Sequence, residues 1–211
     1  MIVVVGGIKG GAGKTTIATN LAVMRAASGK KVLLVDADEQ KSSSIFANQR
    51  EASGIETTWI TSQFCGIDLK SKISKVKAGY DDIIIDVGGR DTTSQRSALA
   101  IADIYLLPFN PSSFDVWTLS EVKSIIKDMS NFNEKLKAYA FINRADPTGS
   151  DNDDARSILE ECEELECLKL TIGNRKAFRS SSSDGLSVTE MKNIDKKAVQ
   201  EMTSLYDCIY A

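Results

Sequence analysis

Residues 7–16 read Gly-Ile-Lys-Gly-Gly-Ala-Gly-Lys-Thr-Thr, between a short apolar run and a segment of helical periodicity. Gly10, Gly11, Ala12 and Gly13 allow backbone N–H groups to turn inward around an anion, and the start of a helix adds a favourable dipole. In that setting Lys14 would reach the β- and γ-phosphates of a nucleotide, the Thr15 hydroxyl would ligate Mg²⁺, and Thr16 would continue the cradle. A glycine-rich turn that binds nothing is the bland alternative, and Gly-Lys-Thr between strand and helix argues against it. The loop departs from the general pattern at Ile8, where a glycine would fall, and a second lysine, Lys9, stands beside it.

Carboxylates supply the remaining chemistry, because the chain contains no histidine. That absence removes the usual general base and the commonest transition-metal ligand. Asp36 and Asp38 follow the apolar run Val32–Val35, and either could orient a water or simply cap the helix expected over Lys41–Glu51. Asp86 closes the run Ile83–Ile85, where a buried acid is costly unless it serves a cation or a hydrogen-bond network. Holding a water of Mg²⁺ would meet that need, and the Val87-Gly88-Gly89-Arg90-Asp91 stretch after it suits a loop that changes shape when a γ-phosphate leaves.

Positioning these groups requires strands that end at one edge. Uniformly apolar runs occur at Ile2–Val5, Val32–Val35, Ile83–Ile85, Ile104–Leu107 and Tyr139–Ile142, with Cys167–Ile172 a weaker sixth. Runs apolar on both faces suit a parallel sheet sandwiched by helices. Ile17, Leu21 and Met24 fall at helical spacing and Gly29 stops the segment, which makes a β-α-β unit. Repetition of that unit predicts a doubly wound α/β fold of P-loop type, with ligands beyond the carboxyl ends of the strands. A length of 211 residues, without repeats or a long linker, predicts one domain spanning 1–211. Only Asp146–Asp154 and Ser180–Gly185 read as biased, loop-like stretches.

The composition excludes several classes. No apolar run approaches the ~20 residues of a membrane span. The chain begins on a strand-like run without a basic start or cleavage site, which predicts a cytoplasmic location. The cysteines Cys65, Cys162, Cys167 and Cys208 lack metal-like spacing and read as reduced thiols.

The Lys-Gly-Gly-Ala-Gly-Lys-Thr-Thr form resembles the deviant Walker A box of the ParA/MinD family of ATPases. Asp36-Ala37-Asp38-Glu39-Gln40 is similar to the family's second box, with Glu39 where proline is usual. Phe141-Ile142-Asn143-Arg144, Asn174-Arg175 and Asp184–Val188 extend the resemblance, and Pro108–Asp115 resembles the loop before a long helix at the dimer face. The resemblance implies ATP and Mg²⁺ as ligands and an ATP-sandwiched homodimer. It assigns Lys9 a reach across the dimer to the partner's nucleotide, against the alternative of a solvated loop lysine. It makes Asp38 the carboxylate that positions or activates the attacking water, with Asp36 supporting the metal or the loop geometry. Asp86 corresponds to Walker B, and Asn143 to an adenine contact, although asparagine after a strand also serves as a turn residue.

Charge is spread unevenly. Residues 151–166 hold eight acids against Arg156, whereas 169–197 hold seven bases against three acids. Lys169, Arg175, Lys176, Arg179, Lys192, Lys196 and Lys197 lie near where ParA-like proteins carry non-specific DNA contacts, and such a face would meet phosphates rather than bases. An ordinary solvated basic face is the alternative. With the first strand at residue 2, the helix-turn-helix of longer ParA proteins is not expected. The resemblance thus implies a slow, nucleoid-associated partition switch, closest to short ParA-type ATPases, acting with a ParB-like or other cargo adaptor. A MinD-like membrane-surface ATPase would need a basic amphipathic C-terminal helix, which the mixed charge of Ile194–Ala211 does not provide. A metabolic relative of ATP-dependent ligases or of nitrogenase reductase is the third class, and the cysteine positions speak against the reductase.

Overall fold

The apolar runs form strands because their β-branched side chains pack on both faces of a pleated surface. A computed structural model describes residues 1–89, 92–111, 113–148 and 150–211, without the side chains of 113–118. The strands are β1 (Ile2–Val5), β2 (Val32–Ala37), β3 (Ile60–Gln63), β4 (Asp82–Val87), β5 (Ile104–Phe109), β6 (Lys137–Ala145) and β7 (Glu166–Gly173). Between and after them lie α1 (Lys14–Ala27), α2 (Ser42–Ala52), α3 (Leu69–Val76), α4 (Thr93–Leu99), α5 (Ser113–Ser130), α6 (Asp151–Glu160), α7 (Lys176–Ser183) and α8 (Lys196–Tyr210).

All pairings are parallel, in the order β3-β2-β4-β1-β5-β6-β7. The chain winds outward from β1 to β3, returns to insert β4 beside β1, then crosses to β5 on the other side. That reversal opens a crevice at the carboxyl end of β1, where the glycine-rich loop leaves the sheet.

Successive residues of each strand feed opposite cores. Val4, Leu33, Val35, Ile83 and Ile85 pack with Leu69, Leu99, Ile125 and Leu159 of α3, α4, α5 and α6. Val3, Val5, Leu34 and Ile84 pack with Ile17, Phe46, Phe178 and Met202 of α1, α2, α7 and α8. Each such side chain, once buried, contributes about 1.5–3 kcal/mol.

Two features differ from the sequence reading. β3 is an additional edge strand, whose Ile-Thr-Ser-Gln run is too short and too polar to register as a buried strand, and Ile60 is 53 % exposed. The loop-like stretches are partly helical. α6 begins at Asp151, with Asp151, Asp153 and Asp154 favourable in its first turn, and α7 carries the serines to Ser183 because Phe178 and Ser181 face the core. α8 lays Ala198, Met202, Leu205 and Ile209 on the sheet.

Candidate functional site

A cleft of about 740 Å³ opens at the carboxyl ends of β1, β2 and β4, bordered by Gly10, Lys14, Thr15, Asp38, Gly89 and Arg144 among others. The 7–13 loop starts α1 without a side-chain cap. Its first N–H groups therefore remain available to an anion. Lys14 is buried, and its Nζ donates to the Lys9 carbonyl at 2.8 Å, so the lysine folds back along the loop. Lys9 is half-buried on the same loop.

Asp86 ends β4 fully enclosed. Its Oδ2 accepts a 2.7 Å hydrogen bond from Ser43 Oγ, while Oδ1 is buried without a protein partner among the described residues. Burial pushes the carboxyl up to about 7, against the hydroxyls of Ser43 and Thr15; Asp36 adds to the rise and Lys14 opposes it. An orphaned buried oxygen is expensive unless something outside the chain satisfies it. Among the described residues no cluster of Cys, Asp or Glu could hold a metal by itself. One acid and one threonine beside a phosphate cradle nevertheless fit Mg²⁺, which takes few protein ligands and completes its shell with phosphates and water.

Asp36 is tied to its surroundings by two backbone amides. Its Oδ1 accepts from the Asp38 N–H at 3.2 Å and its Oδ2 from the Ser44 N–H at 2.7 Å. Both oxygens are engaged by backbone amides, so Asp36 ties the β2 loop to the first turn of α2. These contacts serve the loop-supporting role expected of Asp36, and each oxygen keeps a lone pair beyond them. Asp38 does not cap α2; its Oδ1 accepts from the Gln40 N–H at 3.0 Å, a turn that supplies the order a proline at residue 39 would give. A Cβ built on Gly88 would sit 3.3 Å from Asp38 Oδ1, so this carboxylate lies against the loop that follows β4.

That loop in turn rests on the phosphate loop. A Cβ on Gly89 would fall 2.7 Å from Gly10 N and 2.8 Å from Lys9 C, so only glycine permits the approach. Arg90 and Asp91 lie outside the described residues. So does Ser112 of the Pro108–Asp115 loop, together with the side chains that follow it.

Asn143 is buried at the end of β6 and donates through Nδ2 to the Ala12 carbonyl at 2.6 Å. A Cβ on Gly13, whose φ is 90°, would collide with that amide at 2.5 Å. Asn143 thus clamps the phosphate loop and also borders a small pocket of about 30 Å³ with Thr16, Ile17, Phe178 and Arg179. It is more than a turn residue, and its amide keeps a second N–H and its oxygen beyond this bond.

The basic candidates separate. Lys176, Arg179, Lys192, Lys196 and Lys197 are exposed. Arg175 forms a two-pronged bridge to Glu201, Nε to Oε2 at 2.9 Å and Nη2 to Oε1 at 2.5 Å. Two of its nitrogens are thus engaged within the chain, which sets it apart from the exposed lysines.

Sequence reasoning missed Ser43, Asn20, Arg50 and Glu190. Asn20 links the Thr16 carbonyl at 2.7 Å to the Val188 N–H at 2.9 Å. Arg50 is buried, with both terminal nitrogens 2.7 Å from Glu190, further bonds to the Glu56 and Gly185 carbonyls, and its guanidinium over the Trp59 ring. No spacing rule finds such pairs, because the partners are up to 168 residues apart.

Fold and cleft together define a P-loop nucleotide-binding protein of the type with a second lysine in the loop. The chain belongs to the family described as the CobQ/CobB/MinD/ParA nucleotide binding domain, whose model matches residues 3–188. It is a ParA/MinD-type ATPase by that membership. It is 24 % identical over 204 residues to the maintenance of carboxysome distribution protein A of Halothiobacillus neapolitanus, covering 95 % of this chain and 92 % of that one. An ATP complex of Cyanothece McdA shares the fold with a TM-score of 0.83 and 16 % identity, over 99 % of this chain and 95 % of that one. A plasmid partition protein of Borrelia burgdorferi bound to AMPPNP gives a TM-score of 0.74 at 20 % identity, over 99 % and 97 %.

Proposed function

We propose that residues 1–211 form one ParA-type ATPase domain that binds Mg-ATP, dimerises with the nucleotides enclosed between two copies, and associates with DNA without sequence preference. The observation that carries this reading is the contact of Gly89 with Lys9 and Gly10, beside which Asp38 lies against Gly88. Any movement of the β4 loop must then disturb both the loop that would hold phosphate and the lysine that would reach a partner copy. Nucleotide state and dimer face are mechanically one element.

In this proposal the N–H groups of residues 10–16 and the Lys14 ammonium bind the phosphates, Lys14 leaving the Lys9 carbonyl to do so. Thr15 and Asp86 hold Mg²⁺, which when bound would offset charge on the phosphate oxygens. Asp38 orients the water that attacks the terminal phosphorus, giving ADP and inorganic phosphate. Lys9 acts across the dimer. Hydrolysis in such a switch is slow until an adaptor stimulates it.

The exposed bases of α7 and of the segment entering α8 support DNA association, since a dimer would double the patch. The relatives named for carboxysome distribution and plasmid partition support a cargo-positioning role, in the cytoplasm and on the nucleoid. The membrane-surface reading is disfavoured because the apolar face of α8 is spent on the sheet. Among the described residues no helix is long and apolar enough to cross a membrane.

The test uses Asp38→Ala protein, which should bind ATP without turning it over. Light scattering after size exclusion, with Mg-ATP or Mg-ADP, should show a dimer with ATP only, and that dimer should bind unrelated duplex DNA with steep salt dependence. An ATP dimer without DNA affinity would redirect the proposal to a protein or membrane target. A species indifferent to nucleotide would favour a metabolic enzyme.

A further inference from the structure

Arg144 adopts φ 56° at the carboxyl end of β6. Among the described non-glycine residues only Lys41 shares a positive φ. Glycine, asparagine and aspartate visit that region readily, whereas a long side chain does so at a cost and persists only where its surroundings enforce it. The enforcement is visible on both sides. Asn143 is fixed to the Ala12 carbonyl, and the Ala145 carbonyl accepts from the Asn174 N–H at 2.9 Å, with a register shift against β7 between Asn143 and Ala145. Arg144 is the residue turned outward between these anchors, and it is exposed.

Its side chain borders both the phosphate cleft and the small pocket beside Phe178. A Cβ built on Gly13 would lie 3.9 Å from Arg144 Nε. The guanidinium makes no hydrogen bond or ion pair among the described residues. By contrast Arg25, Arg50, Arg96, Arg156 and Arg175 are all engaged by protein acceptors. A strained backbone thus holds an unpaired planar cation over the start of α1, at the one point shared by the two cavities.

We propose that Arg144 is a nucleotide-binding residue that grips the α-phosphate and ribose side of a nucleoside di- or triphosphate. The assignment rests on the nucleotide reading above and deepens it. Lys14 serves the outer phosphates from within the cleft, while the junction with the pocket at Gly13 and Thr16 is where a phosphate chain gives way to the nucleoside. A guanidinium there matches phosphate oxygens in a two-pronged geometry that an ammonium cannot reproduce. Because the α-phosphate is common to both nucleotides, Arg144 adds affinity for ADP and ATP alike and leaves discrimination between them to the γ-phosphate contacts.

The test compares wild type with Arg144→Gly, Arg144→Asn and Arg144→Lys by calorimetric titration with ADP and with a non-hydrolysable ATP analogue, alongside thermal melts of the nucleotide-free proteins. Glycine and asparagine relieve the backbone while removing the cation. Their melting temperatures should stay level or rise, while affinity for both nucleotides falls about tenfold, the loss of one charge-assisted contact. Arg144→Lys should fall between. Wild-type affinity in Arg144→Gly, or full affinity in Arg144→Asn, would overturn the assignment while leaving the ATPase reading intact. A wild-type protein that binds neither nucleotide would defeat that reading itself, and Arg144 with it.

Discussion

Asp86 sits enclosed, with Ser43 on one oxygen and no partner for the other among the described residues, whereas Lys196 and Lys197 stand in solvent at the first turn of α8. The nucleotide cleft fixes each charge through a particular neighbour: Lys14 on the Lys9 carbonyl, Asp36 between two amides, Asp38 on Gln40. Among the described residues the exposed lysines of the basic face have no such neighbour, while Arg175 is held by Glu201. Enclosure makes identity matter, because the low-dielectric interior penalises any mismatch. Exposure makes number matter, because screened phosphate contacts add nearly independently.

The contrast can be broken most strongly at Lys14. Lys14→Ala should weaken ATP and ADP binding on the order of a hundredfold, the loss of a charged hydrogen-bond donor at a buried site. Fluorescent-nucleotide titration reads this, and retained affinity would remove the phosphate-loop assignment.

Next comes the framework that holds α2 in place. Arg50→Ala should destabilise the protein by about 3 kcal/mol, since it leaves Glu190 and two carbonyls without their partner and removes the cation over Trp59. Urea unfolding should show a lower midpoint with an unchanged slope; a shift under ~0.5 kcal/mol would demote the pair to a surface bridge.

Asp86 sharpens the comparison through pH. Its carboxyl titrates at about 7 in the folded chain, well above the ordinary carboxylate range. The folded state therefore holds this proton more tightly than the unfolded one. Its contribution to stability is fully present below about pH 4 and is lost as pH rises through 7. Nucleotide-free wild type should melt progressively lower between pH 5 and pH 8, and Asp86→Asn should flatten that slope. An unaltered pH profile in the variant would assign the effect to another group.

The smallest effect belongs to the basic face. Replacing Lys196 and Lys197 together by alanine removes four lysines from the proposed dimer and should reduce the salt slope of its DNA binding by at most about 3.6, leaving ATP affinity unchanged. A loss confined to a single lysine would contradict the additive picture.

Much of this architecture could be read in the sequence because it is written in local terms. Gly13-Lys14-Thr15 between a strand and a helix, acids at the ends of apolar runs, and alternation of strand with helix all act over short spans. β3 escaped because an edge strand exposed to water need not be apolar, and the start of α6 was hidden by polar residues that suit a loop and a helix N-terminus equally. Within the cleft, the sequence could place Asp36 and Asp38 side by side but could not divide their labour. That division depends on which backbone amides point at each carboxylate. Ser43 and Arg50 carried no signal at all, and Arg144 stood in the quoted Phe141–Arg144 segment without its backbone strain being legible, since a strained arginine and a relaxed one look alike in one dimension.

By itself, then, the sequence determined the parallel α/β fold, the phosphate loop, and the acids available to it, because backbone propensity and burial periodicity decide these element by element. Tertiary structure alone decided that Gly89 closes onto Lys9 and Gly10, that Asn143 clamps Ala12, that Glu201 claims Arg175, and that Arg144 is held in a left-handed conformation over the start of α1. Each of these joins residues tens to more than a hundred positions apart, and only the packing of whole elements sets the distances at which such contacts form.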